Sequence, residues 1–226
     1  MKFFSRKPRR DRLLGVSRSA DGIGAAVIRR ATGTKPVLEW ASHFPEQEFH
    51  RTLQDLTRRS HLRNVLCTTL IDSADYSLVL VDAPDVPPSE LRDAVRWRVN
   101  ELIDFHVDDA VVDVFDVPFT GDTRNRRLYV VAARRAAVAR VISELADAVF
   151  NLESIDIPEL AVRNLAALVP EDAQGVAMVV LERNRGLITV TRNAELYLSR
   201  RLDYGTELWT GGLETLTPTL EGRLDT

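Results

Sequence analysis

Apolar and polar positions along the chain first fall into short runs suited to strands. "LLGVS" at 13–17, "AAVIRR" at 25–30 and "PVLEWAS" at 36–42 are separated by the turn-formers "SADGIG" and "ATGTK", which predicts a β-meander. The arrangement returns as "VAMVVLE" at 176–182, "LITVTR" at 187–192 and "ELYLSRRL" at 195–202, with turns at "RNRG" and "NA". Two similar meanders one domain length apart predict duplicated halves of one fold.

Between the meanders, Phe49, Leu53 and Leu56 recur at helical spacing within 46–59, and "VLCTTLI" at 65–71 reads as a buried strand. From Tyr76 the order changes. Strand "YSLVLV", helix 89–103, strand "AVVDVFDV", strand "RLYVVAA", helix 135–149 and strand "LESIDI" spell βαββαβ, the split βαβ order. A helix at 159–168, ended by Pro170, leads into the second meander. The predicted organisation is a basic tail at 1–12, a first subdomain at 13–75 to which 158–175 returns, an inserted βαββαβ subdomain at 76–157, and the start of a second lobe at 176–226. The stretch after Val176 is too short to repeat the whole first half, so the second lobe is expected to be partial or truncated.

The chain has 226 residues, 45% hydrophobic and 28% charged, with a net charge of -3. That is a globular composition. A nucleic-acid partner is not expected, because phosphate neutralisation needs a basic face and no long basic block follows residue 12. The single cysteine, Cys67, lies in an apolar run and reads as a core thiol of a reducing compartment. Lys2, Arg6, Lys7, Arg9, Arg10 and Arg12 crowd the start, but the apolar run behind them is too short for an export signal or a membrane span. Either a solvated tail or weak attraction to an anionic membrane surface is the expectation there, with Lys2, Arg6, Lys7, Arg9 and Arg10 as the membrane-proximal residues.

Candidate chemistry is sparse. His43, His50, His61 and His106 have no second ligand at helical spacing, so no metal is expected. "GTK" at 33–35 is similar to the end of a phosphate-binding loop, yet Ile28 stands where the first glycine belongs. "GVSRS" at 15–19 lacks the closing glycine of a nucleophile elbow, and a strand follows where a hydrolase needs a helix. A two-metal nuclease needs a carboxylate on the first strand, where Val16 and Ser17 supply none.

In helix 89–103, Leu91, Val95, Val99, Leu102 and the stem of Arg98 project onto one stripe and predict a core face. Trp97 lies off that stripe between Arg96 and Arg98. It is either covered by another subdomain or an exposed aromatic anchor, and an aromatic beside arginine is the composition of a protein-binding hot spot. Trp97 and Arg96 are therefore the candidate partner-binding residues. Asp104, Asp108, Asp109, Asp113 and Asp116 read as a solvated acidic edge that discourages strand pairing, not as an acid–base pair.

Three stretches carry a family likeness: "YSLVLVDAPDVPPSELRDAVRWRVNELIDFHVDDAVVDVFDVP", "LYVVAARRAAVARVISELADAVFNLESIDIPELAVRNLAAL" and "GVAMVVLERNRGLITVTRNAELYLSRRL". Through them the chain resembles the PilM-like, actin-fold proteins of type IV pilus inner-membrane platforms, most closely those serving the MSHA (mannose-sensitive haemagglutinin) pilus. The resemblance implies an α/β, actin-like (RNase H-like) fold whose second subdomain is replaced by the insertion at 76–157. It also implies a cytoplasmic scaffold, peripheral at the inner membrane, that grips the short N-terminal tail of a single-pass membrane partner similar to PilN. The nucleotide-binding members carry Asp-x-Gly in both meander turns. Here Ser17-Arg18-Ser19 and Glu182-Arg183-Asn184 stand instead, so Ser17, Arg18, Ser19, Glu182 and Asn184 are degenerate phosphate-loop positions. No cofactor is expected; ATP with magnesium is the alternative, with Asp21 and Glu182 substituting for the missing aspartates in an actin-like ATPase.

Overall fold

A computed structural model describes residues 9–19, 21–45, 49–59, 62, 65–118, 126–148 and 150–211. The described chain forms two compact units, one of 1–18 with 22–161 and one of 19–21 with 162–226.

In the first unit, β1 (Arg9–Ser19), β2 (Gly22–Arg29) and β3 (Val37–Phe44) form the predicted meander. With β4 (Val65–Leu70) and β8 (Asn151–Asp156) they make a five-stranded sheet in the order β3-β2-β1-β4-β8, in which β4 runs parallel to both β1 and β8. Side chains alternate across a strand with a period of two, so Leu14 and Val16 of β1 and Ile23, Ala25 and Val27 of β2 point to one face. That face is covered by Leu53 and Leu56 of α1 (Phe49–Arg58) and by Leu145 of α3 (Arg135–Asp147), with Ala148 and Phe150 just beyond it. Cys67 of β4 is fully buried in the same core, where loss of solvent pushes its thiol up to about 12.

The remaining strands of this unit, β5 (Tyr76–Asp82), β6 (Ala110–Asp116) and β7 (Arg127–Arg134), form a separate antiparallel sheet in the order β5-β7-β6. The helix α2 (Leu91–Val99) connects β5 to β6 with β7 between them, a split βαβ unit, and Leu91, Val95 and Val99 pack on Val81, Leu128 and Val130.

Three sequence expectations are corrected here. The βαββαβ order is present along the chain, but its last strand, β8, leaves the small sheet and pairs with β4, where Thr68 and Ser154 hydroxyls meet at 2.8 Å. The reason lies in α3: Ala137 packs with Tyr76, Ala133 and Ile157, whereas Leu145 packs in the core of the five-stranded sheet, so the helix carries the chain from one sheet to the other. Second, the helix placed at 89–103 ends at Val99, so Leu102 leaves the projected stripe and stands 54% exposed. Third, the basic segment is not all tail. Arg9 and Arg10 belong to β1, and Arg12 holds Glu39 of β3 at 2.6 Å, while Lys2, Arg6 and Lys7 lie outside the described residues.

The division between units falls within α4 (Pro158–Ala166). The second unit is built on β9 (Val176–Leu181), β10 (Gly186–Arg192) and β11 (Glu195–Leu202), an antiparallel sheet in the order β11-β10-β9 that bears out the second meander. Leu187, Thr189, Thr191, Leu196 and Leu202 are its buried positions. The β10–β11 turn places Asn193 and Ala194 at φ of 53° and 62°, the double left-handed geometry of a tight hairpin. Alanine is costly there. Buried Asp172 compensates, because one carboxylate oxygen accepts the Ala194 N–H at 2.6 Å and the other accepts the Thr191 hydroxyl at 2.8 Å.

Candidate functional site

The first meander turn begins at the end of β1. Its glycine, Gly22, has φ of +130°, and a Cβ there would meet the Phe44 carbonyl at 2.4 Å, so close backbone approach to the end of β3 fixes the residue type. Ser17 is half-buried on β1. Arg18 is turned back onto the first unit: its guanidinium lies 4.2 Å from the centroid of the Phe49 ring and reaches Glu144 of α3 at 3.5 Å. The Ser19 hydroxyl accepts the Asp21 N–H at 3.2 Å, which shapes the turn locally.

The second turn is closed by its own residues. Glu182 N–H donates to the Arg185 carbonyl at 2.8 Å, and Arg185 Nε donates to the Glu182 carboxylate at 2.6 Å. The chain after β11 then folds onto the same turn: Thr206 N–H donates to the Glu182 carbonyl at 2.8 Å and Glu207 N–H to the Arg183 carbonyl at 2.9 Å. Asn184 is exposed at the turn. Asp21, which groups with the second unit, lies 3.2 Å from Arg183 Nε.

Of the five degenerate positions, Ser17, Arg18 and Ser19 share the first turn and Glu182 and Asn184 the second. Asp21 and Arg183, neither of them among those five, pair with one another within the second unit. Chemically, both carboxylates near the turns, Asp21 and Glu182, already face guanidinium groups. A carboxylate that positions a metal or an attacking water must first be released from such a partner. Among the described residues no group of three or more His, Cys, Asp or Glu is arranged to hold a metal ion.

The α2 surface is the second candidate. Trp97 is 81% exposed, so of the two readings open in the sequence the structure selects the uncovered one. Its flanking arginines are occupied elsewhere. Arg96 donates to the Val107 carbonyl at 2.8 Å, Arg98 to the Asp82 carbonyl at 2.7 Å, and Arg92 pairs with Asp113 at 2.8 Å. Arg96 thus pins the segment that follows α2. Sequence reasoning missed this because adjacent helical residues point about 100° apart, so flanking Trp97 in sequence does not mean facing with it. The acidic residues are also placed: β6 is an edge of its sheet, the Asp113 carboxylate accepts the Val114 N–H at 3.0 Å, and Asp116 and Asp104 pair with Arg126 and Arg134.

Comparison with protein-family models gives no match, and comparison with curated proteins gives none. Solved structures do match. A chain of a PilM-PilN type IV pilus biogenesis complex superposes over 95% of this chain and 74% of its own, with a TM-score of 0.75 at 18% identity. The cytoplasmic domain of EpsL, an inner membrane component of the type II secretion system of Vibrio cholerae, superposes over 85% of this chain and 71% of its own, with a TM-score of 0.60 at 14% identity. The fold is actin-like. Among the described residues no helix is long and apolar enough to cross a membrane.

Proposed function

We propose that this chain is a non-catalytic scaffold of a type IV pilus assembly platform of the MSHA kind, held at the cytoplasmic face of the inner membrane and gripping the N-terminal tail of a PilN-like membrane protein. The observation that carries this reading is the superposition on a chain from a PilM-PilN complex over nearly the whole length. The likeness to the cytoplasmic domain of EpsL, an inner membrane component of a type II secretion system, extends it. The pairing of Asp21 and Glu182 with arginines supports a scaffold over an ATPase. Trp97 serves as the aromatic contact for the partner, Arg96 holds the segment behind it, and the basic residues from Lys2 to Arg10 add attraction to anionic lipid.

The test is calorimetric titration of the purified chain with Mg-ATP beside a titration with the N-terminal peptide of the neighbouring membrane component. Peptide binding with no nucleotide binding is the expected result. Saturable Mg-ATP binding that Glu182→Ala abolishes replaces the scaffold with an actin-like ATPase of the same machinery.

A further inference from the structure

Arg96 and Arg98 stand about 100° to either side of Trp97 around α2 and hydrogen-bond backbone carbonyls, while Arg92 pairs with Asp113. Asp93 lies four residues before Trp97 and Glu90 seven before, so both share its face at helical spacing. Glu101 follows in the turn just past the helix. All three are exposed, and none makes an ion pair among the described residues, unlike Asp104, Asp113 and Asp116 nearby. Leu102 adds exposed apolar surface at the same end. An uncovered indole that shares its side of α2 with two exposed carboxylates, with a third in the turn beyond, is complementary to one class of ligand group. A guanidinium or ammonium is drawn to the negative face of the ring and to the acids around it, while its aliphatic stem covers the apolar edge.

We propose that this face of α2 docks a cationic peptide segment, which lays an arginine or lysine on the Trp97 ring with neighbouring basic residues against Glu90, Asp93 and Glu101. The proposal rests on the reading of α2 as a partner-binding surface and names the chemistry of the partner segment. An anionic or purely apolar tail does not suit it, since each brings either repulsion or no answer to the three carboxylates.

The experiment titrates the full chain with three peptides of equal length: one alternating arginine and leucine, the same with citrulline for arginine, and one alternating glutamate and leucine. Each is run on the wild type, on Trp97→Ala, on Asp93→Asn with Glu101→Gln, and on Glu195→Gln, a single-charge control on the second unit. The arginine peptide is expected to bind at least about tenfold more tightly than the other two. Trp97→Ala should weaken it about tenfold and the double charge variant several-fold, with Glu195→Gln unchanged and thermal midpoints preserved. Equal affinity for the arginine and citrulline peptides, or losses as large in Glu195→Gln, overturns the proposal. A PilN-like tail that binds with its affinity untouched by Trp97→Ala removes this surface and leaves the scaffold reading intact. Arginine-peptide binding at Trp97 without any binding of that tail does the reverse.

Discussion

Arg183 and Asp21 meet at 3.2 Å, an ion pair within the second unit. Their side chains remain 67% and 43% exposed, which leaves the attraction largely screened. The pair is expected to contribute less than about 1 kcal/mol to stability, and a double-mutant cycle with Asp21→Ala and Arg183→Ala in low and high salt measures it. A coupling well above that, insensitive to salt, contradicts the exposed geometry.

The core and surface of α2 should separate cleanly. Val95 is fully buried against the β5-β7-β6 sheet, so Val95→Ala leaves a cavity and is expected to cost about 2 kcal/mol in urea unfolding. Trp97→Ala, on the open side, should stay within about 0.5 kcal/mol of wild type. Comparable losses in both variants indicate that Trp97 is covered in solution.

The hairpin at Asn193 and Ala194 depends on Asp172. Asp172→Ala strips the Ala194 N–H and the Thr191 hydroxyl of their buried acceptor and should destabilise the second unit by about 2 to 3 kcal/mol. Ala194→Gly relieves the left-handed backbone and is expected to stabilise by several tenths of a kcal/mol to about 1. Thermal melts of the two variants, shifted in opposite directions, make the check.

Cys67 carries a pH dependence. Its ordinary value is 9.0 and the folded value about 12, so between those pH values the folded chain keeps a proton that the unfolded chain has released. Stability from this group is therefore complete below pH 9 and falls as pH rises towards 12, by at most about 1.4 kcal/mol per pH unit. Urea midpoints compared for wild type and Cys67→Ala across pH 8.5 to 10.5 isolate the slope; parallel curves show a thiol that titrates normally.

Among the described residues, the buried hydroxyl of Thr189 has no hydrogen-bond partner. Thr189→Val keeps the shape and removes the unsatisfied group, with an expected gain of about 1 kcal/mol in the unfolding free energy. A loss instead would reveal a partner for that hydroxyl in solution.

Both meanders were legible because alternation is a local signal: Ile23, Ala25 and Val27, or Leu187, Thr189 and Thr191, place themselves by their spacing alone. What lay beyond the sequence were choices of partner. The destination of β8 is decided by how α3 divides its apolar positions between two cores, and βαββαβ reads the same whichever sheet receives the last strand. The helix end at Val99 was obscured by an apolar Leu102 that continues the period without continuing the structure. At the candidate sites, the engagements of the side chains lay beyond the sequence. Arg96 and Arg98 read as the neighbours of an aromatic anchor, and only coordinates show that backbone carbonyls hold them.

The pairing of β4 with β8 joins Thr68 to Ser154, residues 86 apart in sequence. The loop between them contains an entire three-stranded sheet with its own packed helix. During synthesis, the meander of β1 to β3 leaves the ribosome before β4, whose far edge must wait for β8 to emerge. If the β5-β7-β6 sheet condenses in that interval, it shortens the effective loop and lowers the entropy cost of bringing β8 back. Changes to the small sheet's core should accordingly slow assembly of the large sheet, though the two share no strand.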